Sequence, residues 1–131
     1  MNASLFGTSE VGVFAADKLV RVAADATVNS IAETIDDNDV GAVVVGLDTI
    51  VGIVSERDLV RAVAAHQNLS VLRASDVAST ELVYCDARAS IDAAAELMLA
   101  RYVRHLLVEN DGVVIGIVSA RDLLGAFVTR P

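Results

Sequence analysis

Apolar positions along the chain fall into a fixed series of patterns, and the series occurs twice. Leu19-Val20-Arg21-Val22 reads as a short extended stretch. Val28, Ile31, Ala32 and Ile35 then recur at the spacing of one helix face. Two apolar runs follow, Ala42 to Val45 and Ile50 to Val54, separated by the turn-forming Gly46-Leu47-Asp48-Thr49. A closing helix is predicted from near Ser55, burying Leu59, Val60 and Val63. The second series opens with Leu82-Val83-Tyr84-Cys85 and continues with Ile91, Ala94, Ala95 and Met98 at helical spacing. Strands are predicted over His105 to Val108 and Val113 to Val118, joined through Asp111-Gly112. The last helix starts near Ser119 and buries Leu123, Leu124 and Phe127. Thr27 and Ser90 stand where an N-cap is expected.

The parallel extends to identity. Gly52-Ile53-Val54-Ser55-Glu56-Arg57-Asp58-Leu59 returns 64 residues later as Gly116-Ile117-Val118-Ser119-Ala120-Arg121-Asp122-Leu123, with seven of eight positions kept. Upstream, Ala26-Thr27-Val28 matches Ala89-Ser90-Ile91, and Val40 to Val45 matches Val103 to Val108, 63 residues apart. The one-residue change falls in the hairpin turn, which tolerates an insertion. The expected fold class is α/β (α+β): two β-α-β-β-α repeats packed with pseudo-twofold symmetry into one module. The expected divisions are an N-terminal extension over 1–16, repeat one over 17–66, a connector over 67–75 and repeat two over 76–131. The connector is too short and apolar for a flexible linker.

Composition narrows the functions. The chain is 54% hydrophobic but only 4% aromatic, so its core is built from Val, Ala, Leu and Ile. A net charge of −8 argues against nucleic acid or an anionic membrane as partner, although a small phosphate ligand needs only a few local donors. The single cysteine, Cys85, excludes an intrachain disulfide and suits a reducing compartment. It is expected to be a small buried hydrophobe. No signal peptide or membrane span is visible, so a cytoplasmic protein is expected. His66 and His105 are isolated, so no metal site is expected. With no phosphate-loop or nucleophile-elbow motif in the sequence, an enzyme is not expected.

The repeated motif suits a ligand bearing ribose and phosphate. Its glycine removes a side chain where the chain is crowded. Ser55 and Ser119 stand at strand-to-helix junctions, where a hydroxyl beside unpaired N–H groups can hold phosphate. Asp58 and Asp122, one turn on, can accept from ribose hydroxyls. The structural alternative is that each serine caps a helix and each aspartate is a first-turn charge.

These residues, with Asp25-Ala26-Thr27-Val28 and Ala89-Ser90-Ile91 upstream, resemble a pair of CBS domains, the Bateman module, over about residues 17 to 128. The resemblance implies a regulatory module rather than a catalyst. It implies AMP, ADP, ATP or S-adenosylmethionine as a regulatory ligand, none of them obligatory, and a homodimer. It also implies a cleft between repeats in which Thr27 accompanies Asp122 and Ser90 accompanies Asp58. Adenine would contact Val22, Ala42, Ile53, Cys85 and Ile117. Arg57 and Arg121 would either reach phosphate or pair with acids such as Glu56 or Glu33.

The copies differ at one informative place. Arg104-His105 opens the first strand after the helix in repeat two, where repeat one has Gly41-Ala42. Related modules use basic residues there for phosphate, so the set Asp122, Ser119, Thr27, Arg104 and His105 is ranked first. The alternative for this pair is a strand end at a dimer interface. The leading function is an adenine-nucleotide sensor signalling to an effector protein that the sequence does not identify; the alternative is a ligand-free dimerisation or interaction module.

Overall fold

A computed structural model describes residues 9–15 and 19–128, the side chains of Phe127 and Val128 aside. The elements in chain order are α1 (Gly12–Ala15), β1 (Arg21–Val22), α2 (Val28–Asn38), β2 (Ala42–Val45), β3 (Gly52–Ser55), α3 (Glu56–Ala64), α4 (Ala74–Val77), β4 (Tyr84–Asp86), α5 (Ile91–Arg101), β5 (His105–Asn110), β6 (Val113–Ser119) and α6 (Ala120–Val128). They form two compact units. One is Val20–Leu82; the other joins the N-terminal segment to Val83 and the residues after it.

In the Val20–Leu82 unit, β1 pairs parallel with β2, and β2 pairs antiparallel with β3. The register sets Ala42 opposite Ser55 and Val44 opposite Ile53. One sheet face packs Val22, Val43, Val45 and Val54 against Ile31, Ile35 and Ala74. Ala42, Val44 and Ile53 alternate onto the other face and are buried as well. That explains why β2 reads as an unbroken apolar run rather than an alternation. Helix α2 starts at Thr27, whose side chain accepts the N–H of Ser30 at 3.1 Å, and stops at Asp39 in the left-handed region.

The second unit repeats this plan. Its sheet has the order β4-β5-β6, with β4 parallel to β5 and β5 antiparallel to β6. The hairpin turns through Asp111 and Gly112, at φ 52° and 81°, as the Asp-Gly pair leads one to expect. The core joins Cys85, Leu106, Val108 and Val118 to Ile91, Ala94 and Met98 of α5, with Leu123 and Ala126 of α6. Ser90 caps α5 by accepting the N–H of Ala93 at 3.0 Å.

The closing helices correct one expectation. Val60 and Val63 are exposed, at 66% and 58%, as is Leu124 at 66%. The inward stripe is Leu59 with Ala62 in α3, and Leu123 with Ala126 in α6. Residues one step further along turn by about 100° and so leave that face. The expectation for Phe127 falls outside the described side chains.

The segment expected as the extension supplies α1, and α4 straddles the expected boundary between the connector and repeat two. Val11 N–H donates to Ala89 O and Ala74 N–H to Ala26 O, each at 2.8 Å. Ile91 N–H donates to Ser9 O at 3.0 Å, as Val28 N–H does to Leu72 O at 2.8 Å. Gly12 N–H donates to Ala87 O at 2.9 Å, as Ser75 N–H does to Ala24 O at 3.1 Å. Each repeat's three-stranded sheet is therefore accompanied by an equivalent short helical segment held through main-chain bonds.

Candidate functional site

The repeated motif begins with a glycine for a reason internal to each unit. A Cβ on Gly116 would run into Ala15 O, and one on Gly52 would lie 2.9 Å from the Ala78 Cβ. The backbone that crowds these glycines is thus the chain's own α1 or α4 segment, packed onto the last strand. Ile53 also exchanges main-chain hydrogen bonds with Ser79, 2.9 Å each way.

Four residues later the strand becomes a helix, and serine and aspartate close that junction on themselves. In α3 the Ser55 N–H donates to Asp58 Oδ2 at 2.8 Å, and Asp58 N–H donates to Ser55 Oγ at 3.3 Å. The Ser55 hydroxyl also donates to Asp58 Oδ2, at 3.0 Å. In α6 the Ser119 N–H donates to Asp122 Oδ2 at 2.8 Å and Asp122 N–H to Ser119 Oγ at 3.0 Å. These are reciprocal capping boxes. They fix both side chains at the helix start and leave the four residues part-buried at the surface. Asp58 Oδ1 also stands 4.0 Å from Arg61 Nη1.

The strand preceding each hairpin starts beside this junction. His105 pairs with Ser119, and Ala120 N–H donates to Arg104 O at 2.8 Å. In the other unit Ala42 pairs with Ser55, and Glu56 N–H donates to Gly41 O at 3.0 Å. We call each junction, with its strand start, a mouth. The second unit thus brings Arg104, His105, Ser119 and Asp122 together; the first brings Gly41, Ala42, Ser55 and Asp58 together. Arg104 is exposed and His105 part-buried. Thr27 and Ser90 serve as helix caps in the two units.

Arg57 and Arg121 are exposed, and among the described residues neither forms an ion pair with Glu56 or Glu33. The five apolar candidates divide between faces. Val22 and Cys85 belong to the helix-covered cores, whereas Ala42, Ile53 and Ile117 are buried outside those clusters. Burial, with Asp86 and Glu109 nearby, pushes the Cys85 thiol up to about 11. A thiol so protonated at neutral pH is a poor nucleophile. Among the described residues no His, Cys, Asp and Glu side chains cluster as metal ligands do, and no helix is long and apolar enough to cross a membrane.

The sequence reading offered Glu56 only as a pairing partner for Arg57 or Arg121 and missed its place beside Gly41. The Glu56 carboxylate lies against Gly41, its Oε1 3.2 Å from where a Cβ would stand. The available signal was the single mismatch within the eight-residue motif, Glu56 against Ala120.

Comparison with known proteins places this geometry. A curated relative, the CBS domain-containing protein YhcV of Bacillus subtilis (strain 168), is 28% identical over 107 residues, covering 81% of this chain and 76% of that protein. The crystal structure of the CBS-domain containing protein ATU1752 from Agrobacterium tumefaciens is 31% identical, with a TM-score of 0.79 over 91% of this chain and 93% of that one. The CBS domain protein PAE2072 from Pyrobaculum aerophilum, solved in complex with AMP, is 27% identical, with a TM-score of 0.76 over 93% of this chain and 100% of that one. The CBS domain profile matches twice, over residues 10–65 and 74–129, and the chain therefore belongs to the CBS-domain family.

Proposed function

We propose that this chain is a regulatory module that binds an adenine nucleotide and passes its occupancy to a partner protein, working in a reducing cytoplasm. The observation that carries the reading is the convergence of Arg104 and His105 on the capping box of Ser119 and Asp122. Arginine, imidazole and a serine at a helix N-terminus form a donor set suited to phosphate. Asp122 beside them supplies an acceptor for ribose. The similar AMP-bound protein supports AMP as the first ligand to try. S-Adenosylmethionine is the adenosyl ligand to compare with it. In this reading the ligand is a regulator rather than an obligatory cofactor, and the chain has no catalytic role.

The test is thermal unfolding with and without millimolar AMP, ATP or S-adenosylmethionine, followed by titration calorimetry. A ligand at about 100 times its Kd stabilises by about 2.7 kcal/mol. Asp122→Ala should remove most of the AMP affinity and Asp58→Ala much less. Equal losses would overturn the ranking of the two mouths, and no shift with any adenosyl compound would overturn the sensor.

A second reading has its own observation. Val60, Val63 and Leu124 leave apolar side chains exposed on the closing helices. Exposed apolar residues on a helix, as on α3, suit a homodimer that serves only as an interaction module. Sedimentation of Val60→Lys/Val63→Lys separates the two readings: loss of the dimer with nucleotide affinity intact favours the sensor, whereas a dimer that binds nothing favours the module.

A further inference from the structure

The two mouths are built on one backbone plan and differ in charge: the first adds the Glu56 carboxylate to Asp58, and the second sets Arg104 beside Asp122. The residue after the capping serine donates its N–H to the carbonyl of the residue that opens the facing strand. That bond joins Glu56 to Gly41 at 3.0 Å and Ala120 to Arg104 at 2.8 Å. In the first unit the strand position has no side chain, and the Glu56 carboxylate fills the space, 3.2 Å from a built Gly41 Cβ. In the second unit the motif residue is Ala120 and the strand position is the exposed Arg104. The chain around each mouth follows the same division. In the sequence leading to the first mouth, the last turn and C-cap of α2 carry Asp36, Asp37 and Asp39; leading to the second, the last turn of α5 carries Arg101.

We infer that Glu56 is a specificity residue that bars phosphate from the first mouth, so that the second mouth alone takes a phosphorylated adenosine. This rests on the sensor reading above and deepens it. Ser55 and Asp58 reproduce the capping box of Ser119 and Asp122, so the ribose-facing geometry is shared. What differs is the charge a phosphate would meet. A carboxylate in place of a guanidinium converts attraction into repulsion at close range, and such unlike pairs decide between ligands by penalising the wrong one. The first mouth is left to an adenosyl compound without phosphate.

Calorimetry with AMP on the intact chain tests this. The wild type should bind one AMP per chain. Glu56→Ala/Gly41→Arg, which copies the second mouth into the first, should bind two. Ala120→Glu, the reverse change, should weaken the original site at least tenfold. Glu56→Gln removes only the charge at an exposed helix position, so it keeps the fold should the double variant lose it, and it should raise AMP affinity at the first mouth at least tenfold. Two equal AMP sites in the wild type would overturn the inference. So would a folded Glu56→Gln or double variant that gains no AMP binding at the first mouth, and either result leaves the sensor reading standing. A wild type that binds no AMP, ATP or S-adenosylmethionine overturns the sensor reading, and this inference with it.

Discussion

At the first mouth a carboxylate lies against a bare glycine, and at the second Arg104 and His105 open the strand whose backbone bonds to Ala120 and pairs with Ser119. Everything beneath is shared: the parallel-then-antiparallel sheet, the capped helices and the reciprocal serine–aspartate bonds. Duplication has therefore held fixed the residues that make the junction fold. It has let vary two positions at the mouth, Gly41 against Arg104 and Glu56 against Ala120, of which Ala120 also packs against the core of its unit. The near-identical motif is mostly a record of folding constraints, and the positions that separate the repeats chemically lie at its one mismatch and on the strand opposite.

The comparison can be broken hardest at the motif glycines. Gly116→Ala drives a methyl into Ala15 O, whereas Gly52→Ala meets a neighbouring methyl at 2.9 Å and the Ser79 carbonyl at 3.0 Å. Urea unfolding should show a loss of about 3 kcal/mol or more for Gly116→Ala and about 1–2 kcal/mol for Gly52→Ala. Equal losses would mean that α1 is not seated on β6 as described. The capping serines come next. Without ligand, Ser55→Ala and Ser119→Ala should each cost about 1 kcal/mol, because the caps are alike. A clear difference between them would show that the two boxes are not structurally equivalent.

The smallest effect concerns the ends of α2 and α5. Asp39 and Tyr102 both sit in the left-handed region, at φ 51° and 56°. Aspartate tolerates that conformation better than tyrosine, and Tyr102 is 95% exposed, with little packing in return. Tyr102→Gly should raise stability by about 1 kcal/mol and Asp39→Gly by less than about half of that, read as denaturation midpoints. A destabilised Tyr102→Gly would assign that side chain a contact it lacks here.

Much of the fold was legible in the sequence because side chains report it. Ala42 to Val45 announced a strand buried on both faces, and Asp111-Gly112 announced the tight turn. Thr27 and Ser90 announced the helix starts. The short segments α1 and α4 were not legible as equivalents. They are held by main-chain N–H and carbonyl groups, which every residue type carries, so Ser9–Ala15 and Leu72–Ala78 share only their final alanine. The closing helices offered two apolar stripes, and periodicity alone did not say that Leu59 and Ala62 face inward rather than Val60 and Val63. At the site, the motif residues were legible but Glu56 was not. Its significance depends on a glycine fifteen residues earlier in the chain that only the folded hairpin brings beside it.

The placement of α1 has a consequence for how the molecule comes into being. The Val20–Leu82 unit is continuous in the chain, and the other unit draws on residues both before and after it. During synthesis the continuous unit can fold as soon as its last residues emerge. The discontinuous one must wait for the C-terminal strands, and for its N-terminal helix it must close a loop around an already folded insert. Helix α1, made early, is thus among the last elements to find its place. A ribosome-bound nascent chain halted once Leu82 has cleared the exit tunnel should hold one finished sheet, with α1 still waiting for its strand.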